Sequence, residues 1–473
     1  LAKFISFEVT PVAQTGTTTG TPVESARTAA VLAASSGEGP PSTPSTPTPT
    51  PSAQPGGGGA EVLVNGKVEN AGTATTTEVN DQTVTTIAVD AAKLEAKLEA
   101  EGQNAVVTIA IRTNSEVVIG ELNGQMIKNM EQKQAVVEIK TDTATYRLPA
   151  QQININAISD QLGQTVSLQD IKIQIQIADP TAATVKVVED SAAKGEFSLV
   201  VPPLNFTVTG SYGGTSIEIS TFNAYVERVI AIPDGVDPNK ITTGIIIDPD
   251  GTVRHVPTQV IRVGGKYFAR INSLTNSTYS VVWHPLEFKD VVNHWAKTAV
   301  NNMGSRMVIN GTGSDLFEPD KNITRAEFAA VIVRALGLKT GTGNHSFTDV
   351  SSTEWYSGYI RTAAEYKIIE GYSGGMFGPN DTLTREQAMT MITRAMSITG
   401  LASDITATEA EKLLSGFGDA EGIAGYARNS IAACVQLGIV SGRTSHLVAP
   451  KEHITRAEVA VIVQRLLQKS NLI

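Results

Sequence analysis

Apolar and polar residues alternate with a period of two through AVVTIAIR (105–112), DIKIQIQIA (170–178), ATVKVVE (183–189) and KYFARI (266–271). That spacing predicts half-buried strands. A further strand, TYSVVWHP (278–285), closes the series. Turn dipeptides sit between β-prone runs at Asn80-Asp81, Gly213-Gly214, Asp250-Gly251 and Gly264-Gly265, where hairpins are expected. Two short helices interrupt them: residues 91–101, with Leu94 and Leu98 one turn apart, and residues 123–133. The pattern predicts two β-rich domains dividing near residue 195: residues 61–195, with the short helices, and residues 196–285, sandwich-like and antiparallel. Upstream, Phe4, Ile5, Phe7 and Val9 alternate loosely. Residues 1–36 are expected to be the remnant of an upstream domain or unstructured. Residues 37–60 contain GPPSTPSTPTPTPSAQPGGGG, where Pro fixes φ and Ser, Thr and Gly offer nothing to bury, so a semi-rigid linker is expected.

After Pro285 the period changes to that of helices, and one pattern recurs three times. Phe288-Lys289-Asp290 returns as Phe347-Thr348-Asp349 and Phe417-Gly418-Asp419. Trp295 returns as Trp355, then Tyr426. Ile309-Asn310-Gly311 returns as Ile369-Glu370-Gly371 and Val440-Ser441-Gly442. Phe317-Glu318-Pro319 returns as Phe377-Gly378-Pro379 and Val448-Ala449-Pro450. Ile323-Thr324-Arg325-Ala326-Glu327 returns as Leu383-Thr384-Arg385-Glu386-Gln387 and Ile454-Thr455-Arg456-Ala457-Glu458. Extra residues around 401–414 precede the third copy. Each copy reads as helix, loop, helix, with modules over 286–341, 345–400 and 415–473.

Thr324 with Glu327, Thr384 with Gln387 and Thr455 with Glu458 are spaced as capping boxes. The arginine inside each box then falls at the first helical position, where the macrodipole disfavours a cation by roughly 0.3–1 kcal/mol. Two readings compete for Arg325, Arg385 and Arg456. Each pairs with a neighbouring acid, such as the Asp of Phe-x-Asp, or each joins the free amides of the helix start in holding an external anion.

These five elements in register resemble S-layer homology modules, three in tandem. The resemblance covers about residues 286–473. It implies an all-α triplet forming a pseudo-threefold helical bundle, behind the β-rich, antiparallel sandwich-like central domains of a multidomain chain. It implies grooves between modules that bind a pyruvylated, N-acetylmannosamine-containing secondary cell-wall polysaccharide of Gram-positive-type bacteria. Carried over, Arg325, Arg385 and Arg456 would contact the carboxylate. Gly311, Gly371 and Gly442 would let the backbone approach the sugar, and Trp295 and Trp355 would shape groove walls. For the tryptophans a core role is the stronger reading of residue type. Alanine at Arg325 and Arg385 should then weaken binding and spare the fold, and Gly371→Ala should affect binding more than stability. The third copy lacks Trp, has Val448 for Phe and a different Gly442-Arg443-Thr444-Ser445 loop. Two competent grooves are expected, with the third open to question.

Net charge is −10, which argues against nucleic-acid binding over a broad basic surface. No apolar run approaches the ~18 residues of a membrane helix, so no membrane insertion is expected. The lone Cys434 allows neither an intrachain disulfide nor a cysteine zinc site and is expected to be buried. Gly371-Tyr372-Ser373-Gly374-Gly375 matches a nucleophile elbow but lies in a repeat loop. Asp248-Pro249-Asp250-Gly251 suggests a calcium loop, yet Gln259 stands where the bidentate acid belongs. His255, His284, His294, His345, His446 and His453 lack metal-ligand spacing. No catalytic residue, metal or cofactor is expected within this chain. The leading reading is a secreted protein held at the cell wall or S-layer. The alternatives are the anchoring end of a surface polysaccharide hydrolase whose catalytic domain lies upstream, and an S-layer lattice subunit contacting other subunits.

Overall fold

In a computed structural model the described residues are 8–9, 23–24, 60–163, 166–343, 347–401, 404–444 and 446–473. The chain divides into two units, Leu1–Ser52 and Ala53–Ile473. In the first, Glu8–Val9 pairs antiparallel with Val23–Glu24. Apart from these residues, the expected remnant and nearly all of the linker lie outside the described residues.

The second unit opens with two stacked sheets. One runs, edge to edge, through Thr258–Val263, Lys266–Thr275, Thr221–Ala231, Ala144–Pro149, Val136–Lys140, Val106–Ile111, Ala60–Val64 and Lys67–Glu69. The other runs through Val253–Val256, Thr243–Ile247, Thr278–Trp283, Ser198–Tyr212, Lys172–Ala178, Val117–Asn123, Gln82–Val89 and Gly72–Val79, with Thr215–Glu218 beside Ser198–Tyr212. The inward residues of both sheets, among them Ile109, Ile139, Ile175 and Phe206, form one core. The expected hairpins form at Asn80-Asp81, Gly213-Gly214 and Gly264-Gly265, all with positive φ as such tight turns require.

Three expectations are corrected. The division near residue 195 is not a break between sheets. Ala144–Pro149 pairs with Thr221–Ala231, and Lys172–Ala178 pairs with Ser198–Tyr212. The sheets are not purely antiparallel either, because Gln82–Val89 with Val117–Asn123 and Val106–Ile111 with Val136–Lys140 run parallel. The third correction is that residues 183–189 are not a strand but lie within the helix Ala182–Gly195, capped by Thr181. Its Val188 joins Phe197, Ile245, Ile247 and Val282 in a small cluster. The need to cover that sheet face outweighs the β-branched propensity of Thr184, Val185, Val187 and Val188.

The repeats fold as expected into helix, loop, helix: Lys297–Ser305 and Arg325–Ala335, Ser357–Glu365 and Arg385–Thr399, and Arg428–Gln436 and Arg456–Lys469, each first helix packing on the second helix of another copy. The extra residues before the third copy form the helix Ala407–Leu414. All three capping boxes are present. One core runs through all three copies and includes Leu274 from the sandwich. The segments just before the boxes are linked cyclically. Ile323 N–H donates to the Ile454 carbonyl (3.1 Å), Leu383 N–H to that of Ile323 (3.2 Å), and Ile454 N–H to that of Leu383 (3.0 Å). Further bonds join sandwich to repeats: Tyr225 Oη donates to the Leu336 carbonyl (2.8 Å) and Arg254 Nη1 to that of Gly337 (2.8 Å). Cys434 is buried, and burial pushes its thiol up to about 12.

Candidate functional site: grooves between the repeats

The grooves are built around the arginine at the start of each second helix. Arg325, Arg385 and Arg456 are only 3%, 3% and 8% exposed. Each reaches into a neighbouring module. Arg325 Nε donates to the Phe377 carbonyl (2.7 Å) and Nη2 to that of Glu370 (2.8 Å). Arg385 Nε donates to the Val448 carbonyl (2.9 Å) and Nη1 to Glu458 Oε1 (2.8 Å). Arg456 Nε donates to the Phe317 carbonyl (2.9 Å), Nη2 to that of Asn310 (2.9 Å) and Nη1 to Glu327 Oε1 (2.8 Å). The helix-start amides are taken as well. Arg325, Arg385 and Arg456 N–H donate to the carbonyls of Asp381, Glu452 and Lys321, each at 2.9 Å. The next amides, of Ala326, Glu386 and Ala457, donate to the carbonyls of Pro379, Pro450 and Pro319. The third is held by the capping threonine.

The helix starts therefore do not offer free amides, and the dipole cost of the arginines is offset by bonds to the next module. Nor is the acid of Phe-x-Asp their partner. Asp290 accepts the amides of Phe317 and Glu318, Asp349 those of Phe377 and Gly378, and Asp419 those of Val448 and Ala449. Each of these aspartates fixes its own Phe-x-Pro loop. The acid that meets Arg385 or Arg456 is the capping glutamate of another module, and the equivalent residue of the second module is Gln387. The repeated pairing of Thr-Arg with a glutamate three residues after the Thr held the clue, but nothing local said that the partner lies in another copy.

Glu458 illustrates the electrostatics. Burial would raise its carboxyl, but the Arg443 hydrogen bond, the Thr455 amide and the Arg385 charge together hold it below its ordinary value. A carboxyl depressed by folding stabilises the fold fully above its unfolded pKa, near 4.5, and loses that contribution as pH falls through the lower folded value. Melting of the parent and Glu458→Gln should therefore differ most above pH 4.5 and converge as pH falls below it. A gap constant across that range would exclude the carboxylate from the junction.

The glycines pack closely within their own modules. A Cβ on Gly311 would lie 2.6 Å from the Leu316 carbonyl oxygen and 2.9 Å from the Phe288 ring. On Gly371 it would lie 2.5 Å from the Phe347 ring and 2.6 Å from the Met376 oxygen. Gly442 has φ +89°, and a Cβ there would meet the Thr444 oxygen at 2.6 Å. The Phe of Phe-x-Asp thus sits against the Gly of Ile-x-Gly, which explains both residues without a ligand.

The tryptophans depart from the core reading. Trp295 and Trp355 are 66% and 57% exposed, as is Tyr426 in the third copy at 60%. Trp355 lines a cavity of about 370 Å³ with Gly311, Glu327, Arg334 and Arg456. Trp295 lines a smaller one, about 100 Å³, with Arg385, Gly442, Glu458 and Arg465. Six of the sequence-selected residues are thus brought to a groove wall, with contributions from all three modules. Arg325, Gly371 and Tyr372 gather around the remaining junction, where Arg325 lies 4.5 Å from the Tyr372 ring centre. Sequence reasoning passed over Arg334, Arg394 and Arg465, each nine residues beyond the boxed arginine, although that spacing is constant.

Among the described residues no group of His, Cys, Asp or Glu could hold a metal, and no helix is long and apolar enough to cross a membrane. His345 lies outside the described residues.

The S-layer homology domain model matches residues 287–329, 346–389 and 416–460. An amylopullulanase of Thermoanaerobacterium thermosulfurigenes is 30% identical over 347 residues, 71% of this chain and 16% of that protein, a stretch longer than the repeats. Exoglucanase XynX of Acetivibrio thermocellus is 36% identical over 199 residues, 42% of this chain and 18% of its own length. The surface-layer 125 kDa protein of Lysinibacillus sphaericus is 31% identical over 180 residues, 37% and 14%. The chain spans less than a fifth of each of these relatives. With the repeats, their caps and these matches in agreement, the chain carries three tandem S-layer homology domains and is a cell-wall-associated surface protein.

Proposed function

We propose that residues 286–473 anchor this protein non-covalently to an acidic secondary cell-wall polysaccharide bound in the grooves between modules. The S-layer homology region is non-catalytic, and its role is to hold the rest of the protein at the surface. The observation that carries the reading is the 370 Å³ cavity with an exposed tryptophan on its wall. Its size is in the range of ligand sites, and an exposed aromatic face suits the apolar face of a sugar ring. We further read the three modules as a pseudo-threefold bundle, supported by the cyclic bonds among Ile323, Leu383 and Ile454. A pyruvylated, N-acetylmannosamine-containing polymer is the proposed ligand, because its ketal carboxylate gives a cationic groove something to recognise.

Purified protein should co-sediment with cell-wall sacculi that retain their polymer, and removal of the polymer should abolish binding. Equal binding to stripped peptidoglycan would refute the assignment.

For the protein as a whole, the anchoring end of a surface polysaccharide hydrolase is the reading favoured by the amylopullulanase likeness, which extends past the repeats. An S-layer subunit that contacts other subunits is the alternative suggested by the surface-layer relatives.

A further inference from the structure

The three grooves differ at the residue after the glycine of Ile-x-Gly, which is Thr312, Tyr372 or Arg443. The Tyr372 ring covers the Arg325 guanidinium at 4.5 Å. Arg443 is bonded to Glu458 (3.0 Å), which lines its groove, and to Glu452. Thr312 is short and exposed and lines the 370 Å³ cavity, against 100 Å³ for the cavity beside Arg443.

The second arginines differ too. Arg394 is paired with Glu370 at 2.7 Å. Arg465 Nη1 donates to the Ile439 carbonyl at 3.3 Å. Arg334, on the wall of the large cavity, stacks its guanidinium 4.7 Å from the centre of the Tyr359 ring and donates only Nε, to Tyr359 Oη at 3.1 Å. Among the described residues it has no carboxylate partner. The other charges lining that cavity, Arg456 and Glu327, compensate each other at 2.8 Å. In the adjoining cavity that Arg334 also borders, Asp248 is matched by Arg254 and Lys339, each at 3.6 Å. A guanidinium held over a ring, with neither terminal nitrogen bonded among the described residues, is prepared for a two-pronged bond to a carboxylate.

We propose that the groove formed by Arg456, Gly311, Thr312 and Trp355 is the principal acidic-sugar site of this chain, and that Arg334, rather than the buried boxed arginines, reads the carboxylate. The inference rests on the glycan-binding reading above and adds which groove and which residue.

The test is calorimetric titration of the full chain with the methyl glycoside of pyruvylated N-acetylmannosamine and with its neutral counterpart. The parent should prefer the acidic sugar. Arg334→Gln should lose at least about 10-fold in affinity for it and nearly all of that preference. Thr312→Tyr should lose binding of both sugars while melting like the parent. Retention of the acidic preference by Arg334→Gln, or undiminished binding by Thr312→Tyr, would overturn this inference and leave the wall-glycan reading standing. A parent that binds neither sugar would overturn that reading, and this inference with it.

Discussion

Arg456→Ala should strongly destabilise the repeat region. The side chain is 8% exposed and satisfies the Phe317 and Asn310 carbonyls and the Glu327 carboxylate. Removing one partner of a buried pair costs about 3–5 kcal/mol, because the other charge is left without compensation. Two carbonyls lose their donor in the same step. The measurement is the melting temperature and the denaturant midpoint of the full chain. Lysine should not rescue, since a single ammonium cannot replace three directed bonds. This reverses the expectation from a purely ligand-facing arginine, in which alanine spares the fold. If Arg456→Ala melts within a degree or two of the parent (a shift too small for such a loss), these bonds to the first module do not hold the fold.

The second large effect is expected from Gly371→Ala. Its new Cβ would sit 2.5 Å from the Phe347 ring and 2.6 Å from the Met376 carbonyl oxygen. The ring is part of the module core, and the oxygen accepts the Tyr372 amide at 2.6 Å, so neither gives way freely. Overpacking of this kind costs roughly 1–3 kcal/mol. A fall in melting temperature should therefore precede any change in glycan affinity. Gly425→Ala is the control, since nothing lies within 4 Å of its Cβ position. Unchanged melting of Gly371→Ala, with lost wall binding, would restore the sugar-approach explanation.

Both reversals have one origin. The sequence repeats at a fixed interval, so it reports which residues are equivalent but not which copy each one touches. Arg325 meets Phe377, 52 residues on, while Arg456 meets Phe317, 139 residues back. No local period encodes such a partner. The tryptophans show the same limit from the other side. Residue type favours a core, but the interiors of the first two modules are already filled by Phe288 and Phe317 and by Phe347 and Phe377, with ring centres 5.4 and 5.3 Å apart. The indoles are left at the groove mouths.

In the sandwich, alternation located Val106–Ile111, Lys172–Ala178 and Lys266–Thr275 because each has one buried face and one solvated face. It failed at Ala182–Gly195, where the β-branched run lies as a helix over Ile245 and Ile247, residues more than 50 positions away.

What the sequence by itself determined is whatever depends on neighbours along the chain: hairpin turns, helix caps, the three repeats and the place of the insertion before the third. These follow from steric and hydrogen-bonding preferences acting within a few residues. Only the tertiary structure decided that the two halves of the β region share sheets, that the boxed arginines are bonded inward, and that one groove stays open beside Arg334. Those outcomes depend on groups brought together from distant copies. Burial there exposes each charge to partners that sequence spacing does not record.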